Sequence, residues 1–182
     1  NAVTDLQSVE IMDFNEGVNN GKIVVIGEDV LDAFLTEVKK QSIYEEKSDL
    51  KIVYTALHGT GNIPVRKALE GMNVSIVKSQ ELPDGNFSTV RSPNPEEKDA
   101  LTLGIAQAKE EKADLVLGTD PDCDRVGIAV LHNGEYVLMT GNQVGALLVD
   151  FVLSNRKDTL SEKSTLVKTI VTSEVGADIA RS

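Results

Sequence analysis

Ala113-Asp114-Leu115-Val116-Leu117-Gly118-Thr119-Asp120-Pro121-Asp122-Cys123-Asp124-Arg125 is the stretch on which the fold turns. Its first half is a short apolar run between a charged helical pattern and a polar loop, which predicts a strand buried on both faces. Its second half sets three carboxylates at alternate positions, where an open α/β sheet places ligands, beyond the carboxyl end of a strand. Working back, Asn94-Pro95-Glu96-Glu97 has the form of a helix start, with Asn94 as N-cap and Pro95 first in the helix, and predicts a helix to about Lys112. Before it lie a strand over 73–78, a helix from Ile63 to Glu70 stopped by Gly71, and a strand over 51–57 that ends at His58-Gly59-Thr60-Gly61. Val30, Leu31, Phe34, Leu35 and Val38 recur at helical spacing and predict an amphipathic helix to Ile43, after a strand-like or linking run over 22–26.

Working forward, Val126-Gly127-Ile128-Ala129-Val130 and Tyr136-Val137-Leu138-Met139 flank Asn133-Gly134, a two-residue hairpin signal. A helix over 141–155, a strand over 165–171 and a helix capped by Ser173 follow. The fold class is α/β: a mixed, largely parallel sheet with helices on both faces, plus part of a second similar unit. The expected division is a linker or tag remnant over residues 1–20, with Asn1-Ala2-Val3 as a cloning scar, a domain over 21–135 and the start of another over 136–182.

Composition excludes several classes. Of 182 residues, 41% are hydrophobic, so disordered and fibrous structure is excluded. The net charge of −11 repels nucleic-acid phosphates and anionic lipid, so neither nucleic acid nor membrane is an expected partner. Residues 1–50 hold 11 acidic and 4 basic side chains, so most of the excess is solvated helix and linker. One cysteine, Cys123, makes neither an intramolecular disulfide nor a thiolate zinc site, and it suits a reducing cytoplasm. No run approaches the roughly 20 apolar residues of a membrane span, and no basic-then-apolar leader is present.

Asp120, Asp122 and Asp124 can converge on one point, where they repel unless a proton or a hard cation intervenes. Magnesium suits oxygen ligands and keeps positions open for water or phosphate, and Arg125 adds a planar donor fork for phosphate oxygens. The plainer alternative is an acidic loop that Arg125 neutralises. A calcium hand is rejected, because its sixth and twelfth positions fall on Arg125 and Leu131 rather than Gly and Glu. Asp120 with Asp122 also resembles the nucleophile motif of haloacid-dehalogenase-type phosphatases, although Asp124 departs from it. His58-Gly59-Thr60-Gly61 reads as a tight strand-to-helix turn, since Pro64 stands at the third glycine of a dinucleotide fingerprint and no P-loop lysine follows. His58 is kept as a candidate phosphate contact.

Five stretches together resemble the α-D-phosphohexomutase superfamily of phosphoglucomutases and phosphomannomutases. They are Thr55-Ala56-Leu57-His58-Gly59-Thr60-Gly61, Ser92-Pro93-Asn94-Pro95-Glu96, Thr119 to Arg125, Thr140-Gly141-Asn142-Gln143 and Val167 to Ser173, in the family's order. The resemblance implies the second of four domains and the beginning of the third. It further implies that Asp120, Asp122 and Asp124 bind magnesium, with the phosphoserine of a first domain as the remaining ligand. Arg125 is then the phosphate contact among the catalytic groups. The implied reaction passes phosphate from that serine to a hexose phosphate and back through a bisphosphorylated sugar. The family's Thr-x-Ser-His-Asn-Pro and Gly-Glu-x-Ser-Gly-His loops have no counterpart here, so the expectation is a chain that needs domains I and IV and is inactive alone. Pro121, where phosphoglucosamine mutases usually carry glycine, favours a phosphoglucomutase or a dual glucose and mannose enzyme.

Overall fold

The computed structural model describes residues 9–44 and 48–182; the N-terminal tripeptide expected as a cloning scar lies outside them. Eleven α-helices and β-strands follow in chain order among the described residues: α1 (Phe14–Asn19), α2 (Glu28–Lys39), β1 (Lys51–Thr55), α3 (Asn62–Ala68), β2 (Asn73–Ile76), α4 (Thr102–Glu111), β3 (Leu115–Thr119), β4 (Val126–His132), β5 (Glu135–Met139), α5 (Gly141–Asn155) and α6 (Val175–Arg181). The five strands form one sheet in the order β2-β1-β3-β4-β5, parallel at β2, β1 and β3 and antiparallel from there on. This is the mixed, helix-covered sheet expected from the sequence.

Alternation along β1 separates the two faces. Val53 points to a core with Val77, Leu101, Ala108, Ala113, Val116 and Ala129, which α4 covers. Tyr54 points the other way, where its hydroxyl lies beside Gly61 at the start of α3. A second core cluster of Leu57, Val90 and Ala100 seals the long loop between β2 and α4. The chain leaves β1 toward one edge and leaves β3 toward the other, so the carboxyl ends of β1 and β3 flank a topological switch point.

Several local expectations are corrected. The helix expected from Asn94 starts instead at Thr102, because Pro95 is buried against the sheet and its carbonyl lies over Gly127. Asn94 Oδ1 still accepts from Glu96 N–H, at 3.1 Å, but closes a turn rather than an α-helix. Residues 165–171 form no strand: no strand of the described chain pairs with them, and Ile170 is 97% exposed. A strand is stabilised by its ladder, so β-branched composition alone does not make one. Residues 22–26 are likewise irregular, and the expected linker carries α1, capped by Asp13 accepting from Glu16 N–H at 3.1 Å. α6 has Glu174 at its N-cap position, but the side chain that accepts at its start is the expected one, Ser173 Oγ taking Val175 N–H at 3.2 Å. Glu135, the last residue before the division expected from the sequence, is the first residue of β5 and faces His132 across the β4–β5 hairpin. Among the described residues no helix is long and apolar enough to cross a membrane.

Candidate metal centre

β3 is the central strand, and its last residue, Thr119, delivers the chain into the aspartate loop. One carboxylate oxygen from each of Asp120, Asp122 and Asp124 lies within 4.8 Å of the others. Asp120 is buried at 7% exposure, whereas Asp122 and Asp124 face solvent. The loop closes as a turn: Cys123 N–H donates to Asp120 C=O at 3.0 Å with Cys123 in the left-handed region at φ 61°, and Arg125 N–H donates to Asp120 Oδ1 at 2.9 Å. Arg125 Nε stands 3.8 Å from both Asp120 Oδ2 and Asp124 Oδ1, with its side chain more than half exposed. The structure thus places the four residues singled out from the sequence side by side.

Charge is unevenly held in this cluster. Burial pushes the Asp120 carboxyl up, but the hydrogen bond from Arg125 N–H, then those with Asp124 and Asp122, outweigh burial and hold it below its ordinary value. Asp124 is pushed up by its hydrogen bond with Asp120, then by the charges of Asp122 and Asp120. Three converging carboxylates thus retain a proton at Asp124 more readily than an isolated aspartate would. Oxygen-only donors, one buried and two exposed, fit a hard divalent cation that keeps its remaining positions open.

The turn after β1 forms the neighbouring wall. Leu57 and His58 both occupy the left-handed region, at φ 46° and 64°, which folds the chain back over the aspartate loop. Thr60 N–H donates to Pro121 C=O at 2.8 Å, and Thr60 Oγ1 donates to the same oxygen at 3.1 Å. A Cβ on Gly59 would lie 2.4 Å from Pro121 Cα, so only glycine lets the two loops meet. Below them Tyr54 Oη and Thr119 Oγ1 share a buried 2.8 Å hydrogen bond. Desolvation first, and then the nearby Cys123, raise the Tyr54 hydroxyl to about 12 against the opposing hydrogen bond from Thr119.

His58, expected as a phosphate contact, has no ring nitrogen to offer. Nδ1 donates to Leu82 C=O at 2.8 Å, and in the neutral ring Nε2 accepts from Thr89 Oγ1 at 2.8 Å. Thr89 in turn accepts from Gln80 Nε2 at 3.1 Å, and Gln80 Oε1 accepts from the buried Thr55 hydroxyl at 2.7 Å. His58 therefore fastens the 78–90 loop to the end of β1. Sequence reasoning also missed Gly59 and Thr60 as supports of the aspartate loop. The signal was present, since a Gly-Thr-Gly turn after one parallel strand faces the loop after the next.

A mixed sheet with helices on both faces and a triple-carboxylate loop at its switch point defines an α/β domain of the phosphohexomutase type. The comparisons agree. A profile of the family described as phosphoglucomutase/phosphomannomutase, alpha/beta/alpha domain II, matches residues 32–134, and the chain belongs to that family. It is 38% identical over 174 residues to a phosphoglucomutase of Staphylococcus haemolyticus (strain JCSC1435), covering 93% of this chain and 31% of the relative. Against a phosphoglucomutase of Staphylococcus saprophyticus it is 36% identical over 190 residues, covering 100% of this chain and 34% of the relative. The chain thus spans about a third of the length of the curated relatives it matches. A crystal structure of a phosphoglucomutase/phosphomannomutase family protein from Burkholderia thailandensis superimposes with a TM-score of 0.60 over 78% of this chain and 31% of that one. At 19% identity this is a likeness of fold.

Proposed function

We propose that this chain is the metal-holding central part of a cytoplasmic phosphoglucomutase or phosphomannomutase. The whole enzyme interconverts hexose 1-phosphate and hexose 6-phosphate by way of a phosphoserine and a bisphosphorylated sugar. The observation that carries the proposal is the convergence of Asp120, Asp122 and Asp124 within 4.8 Å on the loop after the central strand. Asp120, Asp122 and Asp124 would hold magnesium, which when bound supplies charge neutralisation to phosphoryl oxygens. Arg125 presents its exposed guanidinium beside the cluster to orient a phosphate, and the buried Asp120 anchors the loop through Arg125 N–H. Pro121 favours a phosphoglucomutase or a dual glucose and mannose enzyme over a phosphoglucosamine mutase, and the names of the matched relatives favour a glucose phosphate as substrate. The domain boundary is placed after the β4–β5 hairpin rather than within it.

Calorimetric titration with magnesium or manganese tests the centre. The 182-residue chain is expected to bind weakly, and Asp122→Asn to abolish the heat. Binding should weaken as acid returns the proton to Asp124, because that carboxyl is pushed up and metal ligation requires it ionised. No heat from the parent chain would overturn the metal reading. The chain alone is also expected to show no turnover of glucose 1-phosphate with a bisphosphate primer and magnesium; turnover would show that it needs no further domain. Hydrolysis of an aryl phosphate that is lost on Asp120→Asn would instead make Asp120 a nucleophile of the dehalogenase type.

A further inference from the structure

We propose that Thr60 is a positioning residue for the aspartate loop: its amide and its hydroxyl grip one carbonyl, that of Pro121, and hold Asp120 and Asp122 in place against their mutual repulsion. The inference rests on the metal-centre reading for its purpose, but its geometry is independent of any ion. Pro121 sits between the two carboxylates, and having no N–H it can be tethered through its backbone only at the carbonyl oxygen. Both Thr60 donors converge on that oxygen, at 2.8 and 3.1 Å. Gly59 lets them reach it, since any side chain there would run into Pro121 Cα and C=O, at 2.4 and 2.7 Å from a Cβ. Gly61 completes the fit, for a Cβ there would lie 2.9 Å from Cys123 Sγ, 2.7 Å from Thr119 Oγ1 and 2.6 Å from Tyr54 Oη. The Gly59-Thr60-Gly61 turn is thus moulded to the aspartate loop on both sides of Asp122, at Pro121 and at Cys123.

This has a mechanical consequence. Three carboxylates within 4.8 Å push the loop open when no cation is bound, and the turn-forming bonds from Cys123 N–H and Arg125 N–H both run to Asp120. The first of these closes a four-residue turn with Pro121 and Asp122 at its centre, but neither ties that turn to another element of the fold. The Thr60 clamp is the contact that ties the segment between Asp120 and Asp122 to the rigid end of β1. A loop already held near its binding shape loses less freedom when a cation arrives, so the clamp raises affinity without touching the ion.

Cys123, the single cysteine, is a built-in probe of this loop, because its Sγ packs beside Gly61. The experiment compares the parent 182-residue chain with Thr60→Val, Thr60→Ser and Asp122→Asn. It measures the labelling rate of Cys123 by a thiol-reactive disulfide reagent without metal, manganese affinity by calorimetry, and melting temperature. Thr60→Val keeps the amide bond and the side-chain shape but removes one hydrogen bond. It is expected to speed labelling and weaken manganese binding, each by about 5-fold, while melting shifts by no more than about 4 °C. Thr60→Ser restores the hydroxyl and should return both readouts to parent values. Labelling by Thr60→Val at the parent rate, or equal acceleration in Thr60→Ser, would overturn the clamp even where Asp122→Asn abolishes manganese binding. If the parent chain binds no manganese, the metal reading fails, and the labelling contrast between Thr60→Val and Thr60→Ser still decides whether Thr60 holds the loop.

Discussion

Asp84 carries one edge of the loop that closes over the end of β1. Its Oδ1 accepts from Asn86 N–H and its Oδ2 from Ser88 N–H, both at 2.9 Å. These bonds, that from Ser88 first, hold the carboxyl down to about 2 from an ordinary 3.8. A depressed folded value means that the stabilisation is complete above the ordinary value and is lost as pH falls through 3.8 toward about 2. Asp84→Asn should therefore lower the urea midpoint near neutrality, and the gap to the parent should shrink over that acid window and close at its lower end. A gap that persists to the acid end would show that ionisation of Asp84 is not what orders the loop. The same loop carries Thr89, the partner of His58, so this part of the wall is one hydrogen-bonded unit. At this scale the sequence was legible where function depends on neighbours in the chain: three alternating aspartates followed by arginine can be read directly. The partners of His58, Leu82 and Thr89, lie 24 and 31 residues away, and the grip of Thr60 on Pro121 spans 61. No local pattern encodes such contacts.

Elements depart from their propensities where a tertiary contact offers more. Asn94-Pro95-Glu96-Glu97 has every local signal of a helix start, yet the chain gives up two turns there so that Pro95 can wedge against β3 and β4. The glycines that receive it pair across those strands: Gly118 faces Gly127 in the ladder, and a Cβ on Gly127 would lie 2.0 Å from Pro95 C=O. Backbone cannot yield as a flexible side chain does, so Gly127→Ala should displace the wedge and with it the segment that leads to α4. The expected cost is about 1–3 kcal/mol, read as a lower urea midpoint with an unchanged slope. Stability equal to the parent would mean that the wedge is loosely held. Residues 165–171 are the converse case, a β-branched run that remains irregular, since no described strand pairs with it. The strands of the sheet itself were legible, since each is a short apolar run bounded by turn residues and each finds a neighbour.

For the whole molecule, the question is which residues fold together. Both core clusters lie between Val53 and Leu138, and no residue of α5 or α6 belongs to either. α5 reaches the rest of the chain through peripheral contacts: the Tyr44–Phe151 ring pair at 5.5 Å, Tyr44 Oη donating to Asn155 Oδ1 at 3.2 Å, and an Arg156 guanidinium nitrogen donating to Gln41 C=O at 3.0 Å. Composition could not reveal this division, because the β4–β5 hairpin looks from sequence like a link between units and only its pairing shows it to be the sheet's edge. A chain ending at Thr140 should therefore retain the five-stranded sheet and the aspartate centre. We expect it to unfold cooperatively, with a melting temperature within about 5 °C of the full chain, as befits the loss of contacts worth on the order of 1 kcal/mol. A chain ending at residue 135 removes β5 after its first residue, takes Tyr136 and Leu138 from the α4-side core and exposes β4 as an open edge. It should melt far lower or aggregate. If both truncations lose cooperativity alike, α5 belongs to the folding unit, and the boundary proposed after the hairpin is wrong.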